Sequence, residues 1–218
     1  MAGDLLPTGP IEIDAAGRRL PGDCSVPAAA TGLVVFAHGS GSGRLSPRNR
    51  QVAATLNAQR LATLLFDLLS DEEAADRRNV FDVELLARRL HAVKAWAWRQ
   101  AALRDLPTGY FGASTGAAAA LIAAADHPEG IGAVVSRGGR PDLAAERLPA
   151  VRAPTLLIVG GDDLDVLRLN QAALERIAAP SELEVIPGAT HLFEEPGTLE
   201  QVSELSADWF ARHLTAWP

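Results

Sequence analysis

Uninterrupted apolar runs alternate along this chain with stretches whose apolar residues recur at helical spacing. Leu33 to Ala37, Leu61 to Asp67, Thr108 to Phe111, Ile131 to Ser136, Thr155 to Val159 and Leu183 to Ile186 are short apolar-rich runs. Such runs mark strands covered on both faces, as in a buried parallel sheet. Between them, Ser46-Pro47 opens a helix to about Gln59, since proline suits the first helical turn. A longer helix is predicted from about Val80 to Trp98, where Val83, Leu86, Leu90, Val93 and Ala97 form one apolar face. An Ala-rich helix follows Gly116 and ends at Asp126-His-Pro128; further helices reach about Ile177 and span about Leu199 to Leu214. The polar piece Ser70 to Asn79 reads as a loop. Residues 1–32 are punctuated by Gly and Pro, with Ile11-Glu-Ile13 and Arg19 to Val26 as weak strands suited to an antiparallel edge. The βαβ rhythm predicts a doubly wound, mostly parallel α/β sheet. It is expected to form one domain over residues 1–218, with 1–32 as an amino-terminal edge segment.

Composition changes this picture little. A chain of 218 residues can bury a substantial core without a metal or disulfide staple. One cysteine, Cys24, forbids an intramolecular bridge and fits a reducing compartment, so a cytoplasmic location is expected. The first residues carry no basic segment followed by an apolar one, so no leader is expected. The longest apolar run, Ala117 to Ala125, is too short to span a bilayer. Net charge is −7, and no basic block is concentrated enough for nucleic-acid binding.

Chemistry concentrates around Gly112-Ala-Ser114-Thr-Gly116, between a buried strand and a helix. A sharp strand–turn–helix junction exposes such a serine at the top of the sheet, near the positive end of the helix. A serine hydroxyl needs a base within hydrogen-bond reach, oriented by a third group. Of five histidines, His91 lies in a helix, His127 caps one, His213 is near the carboxyl end and His38 precedes a helix. His191 alone follows the last strand, which makes it the candidate base. Asp162, Asp163 and Asp165 crowd the loop after the strand ending at Val159; Asp163 best fits a G-x-x-D-x-x-V frame. One of the three is expected to cap the following helix. The order Ser, Asp, His along the chain is that of a hydrolase triad on an α/β sheet.

Charge developing on a carbonyl oxygen needs backbone donors. The amides of Thr115 and of Ser40, in the His38-Gly-Ser-Gly-Ser-Gly43 loop, are the candidates. The glycines there match neither a P-loop nor a dinucleotide fingerprint, so nucleotide binding is the weaker reading. Arg137, Arg140, Arg77 and Arg78 fall at the carboxyl edge of the strands, where sites of such sheets collect. They are expected either to draw a carboxylate-bearing substrate or to be solvated surface groups, with an internal Arg137–Asp142 pair as a third possibility.

Together, His38-Gly-Ser-Gly, Gly112-Ala-Ser-Thr-Gly116, Gly160-Gly-Asp-Asp163 and Gly188-Ala-Thr-His191 resemble the α/β-hydrolase superfamily over about residues 30–215. Ser46-Pro-Arg-Asn-Arg50, Ser136-Arg-Gly-Gly-Arg-Pro-Asp142 and His191-Leu-Phe-Glu-Glu-Pro-Gly197 are similar to its compact dienelactone-hydrolase-like branch. Some members of that branch are fused to a phosphoribosyltransferase domain. Dienelactone hydrolase uses a cysteine nucleophile where this chain has Ser114. The resemblance implies an α/β-hydrolase fold, and the departure at Ser114 favours a cofactor-free, metal-free serine esterase; between Ser136 and Pro154 there is room for a short helix but not for a lid domain, which favours small soluble esters or lactones. Peptide cleavage, perhydrolysis and a non-catalytic binding module are its alternatives.

Overall fold

The structure is a computed structural model and describes residues 8–214. Residues 1–7, on which the absence of a leader was read, lie outside this range. An eight-stranded sheet runs in the order β1-β2-β4-β3-β5-β6-β7-β8. The strands are β1 (Gly9–Ala15), β2 (Arg18–Ser25), β3 (Gly32–Ala37), β4 (Leu61–Phe66), β5 (Thr108–Ala113), β6 (Ile131–Arg137), β7 (Thr155–Gly160) and β8 (Ser181–Ile186). β1 and β2 form an antiparallel hairpin, and β2 meets β4 antiparallel; the other pairs are parallel. The weak amino-terminal strands thus form the expected antiparallel edge. Their alternating burial is that of an edge exposed on one face, whereas β3, β4, β5 and β7 are buried throughout.

Helices cover both faces. α1 (Pro47–Ala58) and α7 (Thr198–His213) pack together on one side, where Phe36, Phe111, Trp209 and Phe210 form the core. α4 (Val83–Ala97), α5 (Thr115–Asp126) and α6 (Leu164–Leu174) lie over the other core, which holds Leu86, Leu90, Tyr110 and Leu157. Ser46 caps α1 by accepting the N–H of Asn49, with Pro47 at the first position. The stretch 70–79 is not the featureless loop its polarity predicts. It holds two short helices, α2 (Asp71–Ala74) and α3 (Arg77–Phe81). Caps decide this: Ser70 and Glu73 form a reciprocal capping box, and Asp76 accepts the N–H of Arg78. Helices of four and five residues carry no apolar periodicity to read. After β6 the expected short helix is a pair of 3₁₀ turns, Pro141–Ala144 and Leu148–Ala150.

α5 sits unusually close to the sheet. Residues 115–124 are all buried, most of them alanine. A Cβ on Gly116 would run into the carbonyl oxygens of Ala37 and His38, and one on Gly112 into the backbone of Ala117. Glycine at these two places lets the strand, the turn and the helix meet. No described helix is long and apolar enough to cross a membrane.

Candidate active site

Ser114 lies between β5 and α5 with φ 51° and ψ −120°, a conformation costly for any residue with a side chain. The neighbouring strand and its exit loop hold it there. Its N–H donates to Arg137 O at 3.2 Å, and its carbonyl accepts from Ala117 N and Arg140 N, each at 3.1 Å. On the other side is Gly39, where a Cβ would stand 3.1 Å from Cβ of Ser114.

His191 follows β8, and its Nδ1 lies 2.6 Å from Oδ2 of Asp163. The ring rests over Gly138: a Cβ there would lie 3.5 Å from Cε1 and Nδ1. Since Gly138 directly follows the residue that accepts the Ser114 N–H, the imidazole and the serine turn share one corner of the sheet edge. Asp163 stands at the N-cap of α6 yet makes no capping bond with its side chain. Its carboxylate is thereby left for the histidine. Asp162 is exposed, and Asp165 is exposed and paired with Arg168 at 3.0 Å. The expected aspartate cap of α6 is therefore absent, and among the three acids Asp163 is the one that reaches His191.

The two candidate oxyanion donors lie side by side, with one departure from expectation. The Ser40 N–H donates to Oγ1 of Thr115 at 3.0 Å, so it is engaged rather than free. The loop carrying Ser40 is braced by His38. Leu68 N–H donates to its Nε2 at 3.0 Å, which places the ring proton on Nδ1, 3.0 Å from the carbonyl oxygen of Gly39. Burial pushes the His38 pKa below its ordinary value, against a smaller upward pull from Gly39 and Asp67. The neutral ring that these two bonds require is thus the favoured one.

Three of the four arginines have other partners. Arg140 forms a two-pronged pair with Asp142 (2.8 and 2.7 Å), the partner that the sequence offered to Arg137. Arg78 is bound by Asp76, and Arg77 lies over the Phe81 ring at 5.9 Å. Arg137 is 8% exposed, and its Nε and Nη1 are buried without a partner. Burial, with the charge of Arg48 added, pushes it down to about 10, still cationic at neutral pH. β6 runs one residue further than the apolar run implied. Arg137 is therefore a strand residue opposite Ala113, and its guanidinium carbon lies 6.0 Å from the centre of the Phe193 ring.

Two supporting residues escaped the sequence reading. Asn170, fully buried on α6, donates from Nδ2 to Gly139 O at 3.0 Å, holding the loop beside Ser114. Its signal was an amide on an otherwise apolar helical face. Glu195 accepts from both N–H and Oγ1 of Thr190 (3.1 and 2.6 Å), closing the turn that carries His191. Among the described residues no group of acids, histidines or cysteines is arranged to hold a metal. A cavity of about 760 Å³ around Trp98, Pro107 and Gly130 lies at the opposite edge of the sheet and contains none of these groups.

A dienelactone hydrolase from Anabaena variabilis superposes with a TM-score of 0.92 at 51% identity, over 94% of this chain and 97% of that one. The chain belongs to the dienelactone hydrolase family. An α/β serine hydrolase without a lid from Xanthomonas campestris shares the fold at TM-score 0.78 and 21% identity, over 99% of this chain and all of that one. Est1E from Butyrivibrio proteoclasticus shares it at 0.80 and 18%, over 94% and 98%. In sequence, this family member is 58% identical over 204 residues to a Mycobacterium tuberculosis (strain ATCC 25618 / H37Rv) protein named "Putative phosphoribosyl transferase Rv0571c". The match takes in 94% of this chain and 46% of that protein, so the chain spans about half the length of the curated relatives it matches. No protein-family model matches.

Proposed function

We propose that this member of the family is a serine hydrolase that cleaves carboxylic esters or lactones through an acyl-enzyme. The observation that carries the reading is the 2.6 Å bond between Asp163 and His191 beside the strained Ser114 turn. With Nδ1 committed to Asp163, Nε2 is the nitrogen left to take the Ser114 proton. Oγ then attacks the carbonyl carbon, and the oxyanion forms between the amides of Thr115 and Ser40. For the latter to serve, the substrate oxygen replaces or shares the Thr115 hydroxyl as its acceptor. The intermediate collapses, His191 gives its proton to the leaving alcohol, and water repeats the cycle to release the acid. These groups need neither a metal nor a cofactor for that sequence.

Labelling with a fluorophosphonate, followed by mass measurement, tests the reading directly. A single adduct on Ser114, with turnover of p-nitrophenyl acetate lost in Ser114→Ala, is the expected result. No adduct would favour a binding module on the hydrolase fold. An adduct without ester turnover would favour another acyl transfer, peptide cleavage or perhydrolysis.

The name carried by the longer relatives supports a second reading, phosphoribosyl transfer. We assign that activity to the part of those proteins outside the match, because the glycine loop here has no phosphate-binding pattern. Incubation with phosphoribosyl pyrophosphate and purine or pyrimidine bases should then release no pyrophosphate.

A further inference from the structure

A cavity of about 320 Å³ opens between the His38–Ser42 loop and the segment that joins β4 to α4. Gly39 is part of its wall and also touches Ser114, so the cavity adjoins the nucleophile. Its size falls at the low end of small-molecule sites. Leu68, Leu69, Val80 and Leu86 supply apolar wall; the acids on it are Asp67 and Asp71. Asp67 is neutralised by Arg44, whose backbone N–H and Nε reach its carboxylate at 2.7 and 3.3 Å. Asp71 is exposed in the first turn of α2, beside Glu72. Neither lysine nor arginine lines the cavity, although Arg77 and Arg78 ride on the same segment.

We propose that the substrate is a neutral ester, one arm of which is a short alkyl or single-ring aryl group seated in the Leu68–Leu69–Val80–Leu86 cavity. This rests on the hydrolase reading and adds the substrate class to it. A carboxylate entering there meets the Asp71 charge with no cation to receive it. The apolar wall, in turn, is covered only when an apolar arm displaces its water.

The test compares diethyl succinate with monoethyl succinate, and phenyl acetate with methyl acetate, in wild type, Val80→Trp and Asp71→Arg. Wild type is expected to prefer the diester by at least about tenfold in kcat/KM, a gap that narrows at high salt. Asp71→Arg should close most of it. Val80→Trp fills the cavity and should lower the ratio of phenyl acetate to methyl acetate kcat/KM by about tenfold or more. A wild-type preference for the monoester overturns the proposal and needs no variant to be read. So does a folded Val80→Trp enzyme, checked by circular dichroism, whose substrate profile is unchanged. If every ester including methyl acetate is inert and fluorophosphonate leaves Ser114 unlabelled, the hydrolase reading falls and this proposal falls with it.

Discussion

The backbone amide of Ser40 and the hydroxyl of Thr115, 75 residues apart in sequence, are hydrogen-bonded at 3.0 Å across the turn that holds Ser114. Because Oγ1 accepts that bond, its own proton is left for another acceptor, which under the proposed mechanism is the substrate oxyanion. Thr115→Val should therefore lower kcat for p-nitrophenyl acetate by about 100- to 1000-fold, the range for losing one oxyanion donor. Thr115→Ser keeps the hydroxyl and should retain most of the rate. Equal rates in Val and Ser variants would reduce the bond to a loop tie.

Asp163→Asn should lower kcat by roughly 10⁴, because an amide in that place favours the wrong imidazole tautomer. Asp162→Asn and Asp165→Asn should stay within about threefold, as both carboxylates are exposed and away from the ring. A crippled Asp162→Asn enzyme with Asp163→Asn intact would place the acid one residue earlier.

Backbone strain at Ser114 makes a stability prediction separate from catalysis. Glycine tolerates φ 51° where serine does not, so Ser114→Gly should raise the thermal midpoint while abolishing turnover. The gain should be about 1 kcal/mol, a few degrees in a chain of this size. Ser114→Ala keeps a Cβ and should gain less. A fall in midpoint for the glycine variant would remove strain from the account of this turn.

Acid should weaken the fold through its histidines. Burial holds His38, His91 and His213 below their ordinary pKa. Below about pH 6.5 the unfolded chain takes up protons that these folded rings refuse, so stability falls as pH drops through that window. The midpoint should decline from pH 7 to pH 5. His38→Asn should start lower, having lost its two loop bonds, and decline less steeply. Parallel curves for the two proteins would mean that His38 does not carry the effect.

Much of this was legible in the chain. The strand–turn–helix around Ser114, the position of His191 after the last strand and the frame around Asp163 each depend on local signals a few residues long. What could not be read depended on partner choice across the fold. The sequence offered Asp142 to Arg137, but β6 runs one residue longer and keeps Arg137 in the strand, while Arg140, three residues on, takes the acid. The Ser40 amide looked free because its acceptor, Thr115, lies on a distant segment. α2 and α3 were missed because caps, not an apolar stripe, hold helices so short.

The seating of α5 against β3 divides the molecule into a part that cannot vary and a part that can. Any side chain at position 116 would have to displace the backbone at Ala37 and His38, and any at position 112 would lift the first turn of the helix. Randomising those two positions for new activity should return glycine at both, whatever substrate is selected. Freedom to diversify lies instead in the five connections that leave the same edge. Each has its own local bonds, from the Ser70–Glu73 cap to the Thr190–Glu195 turn, so one can be rebuilt while the nucleophile's seat stays as it is.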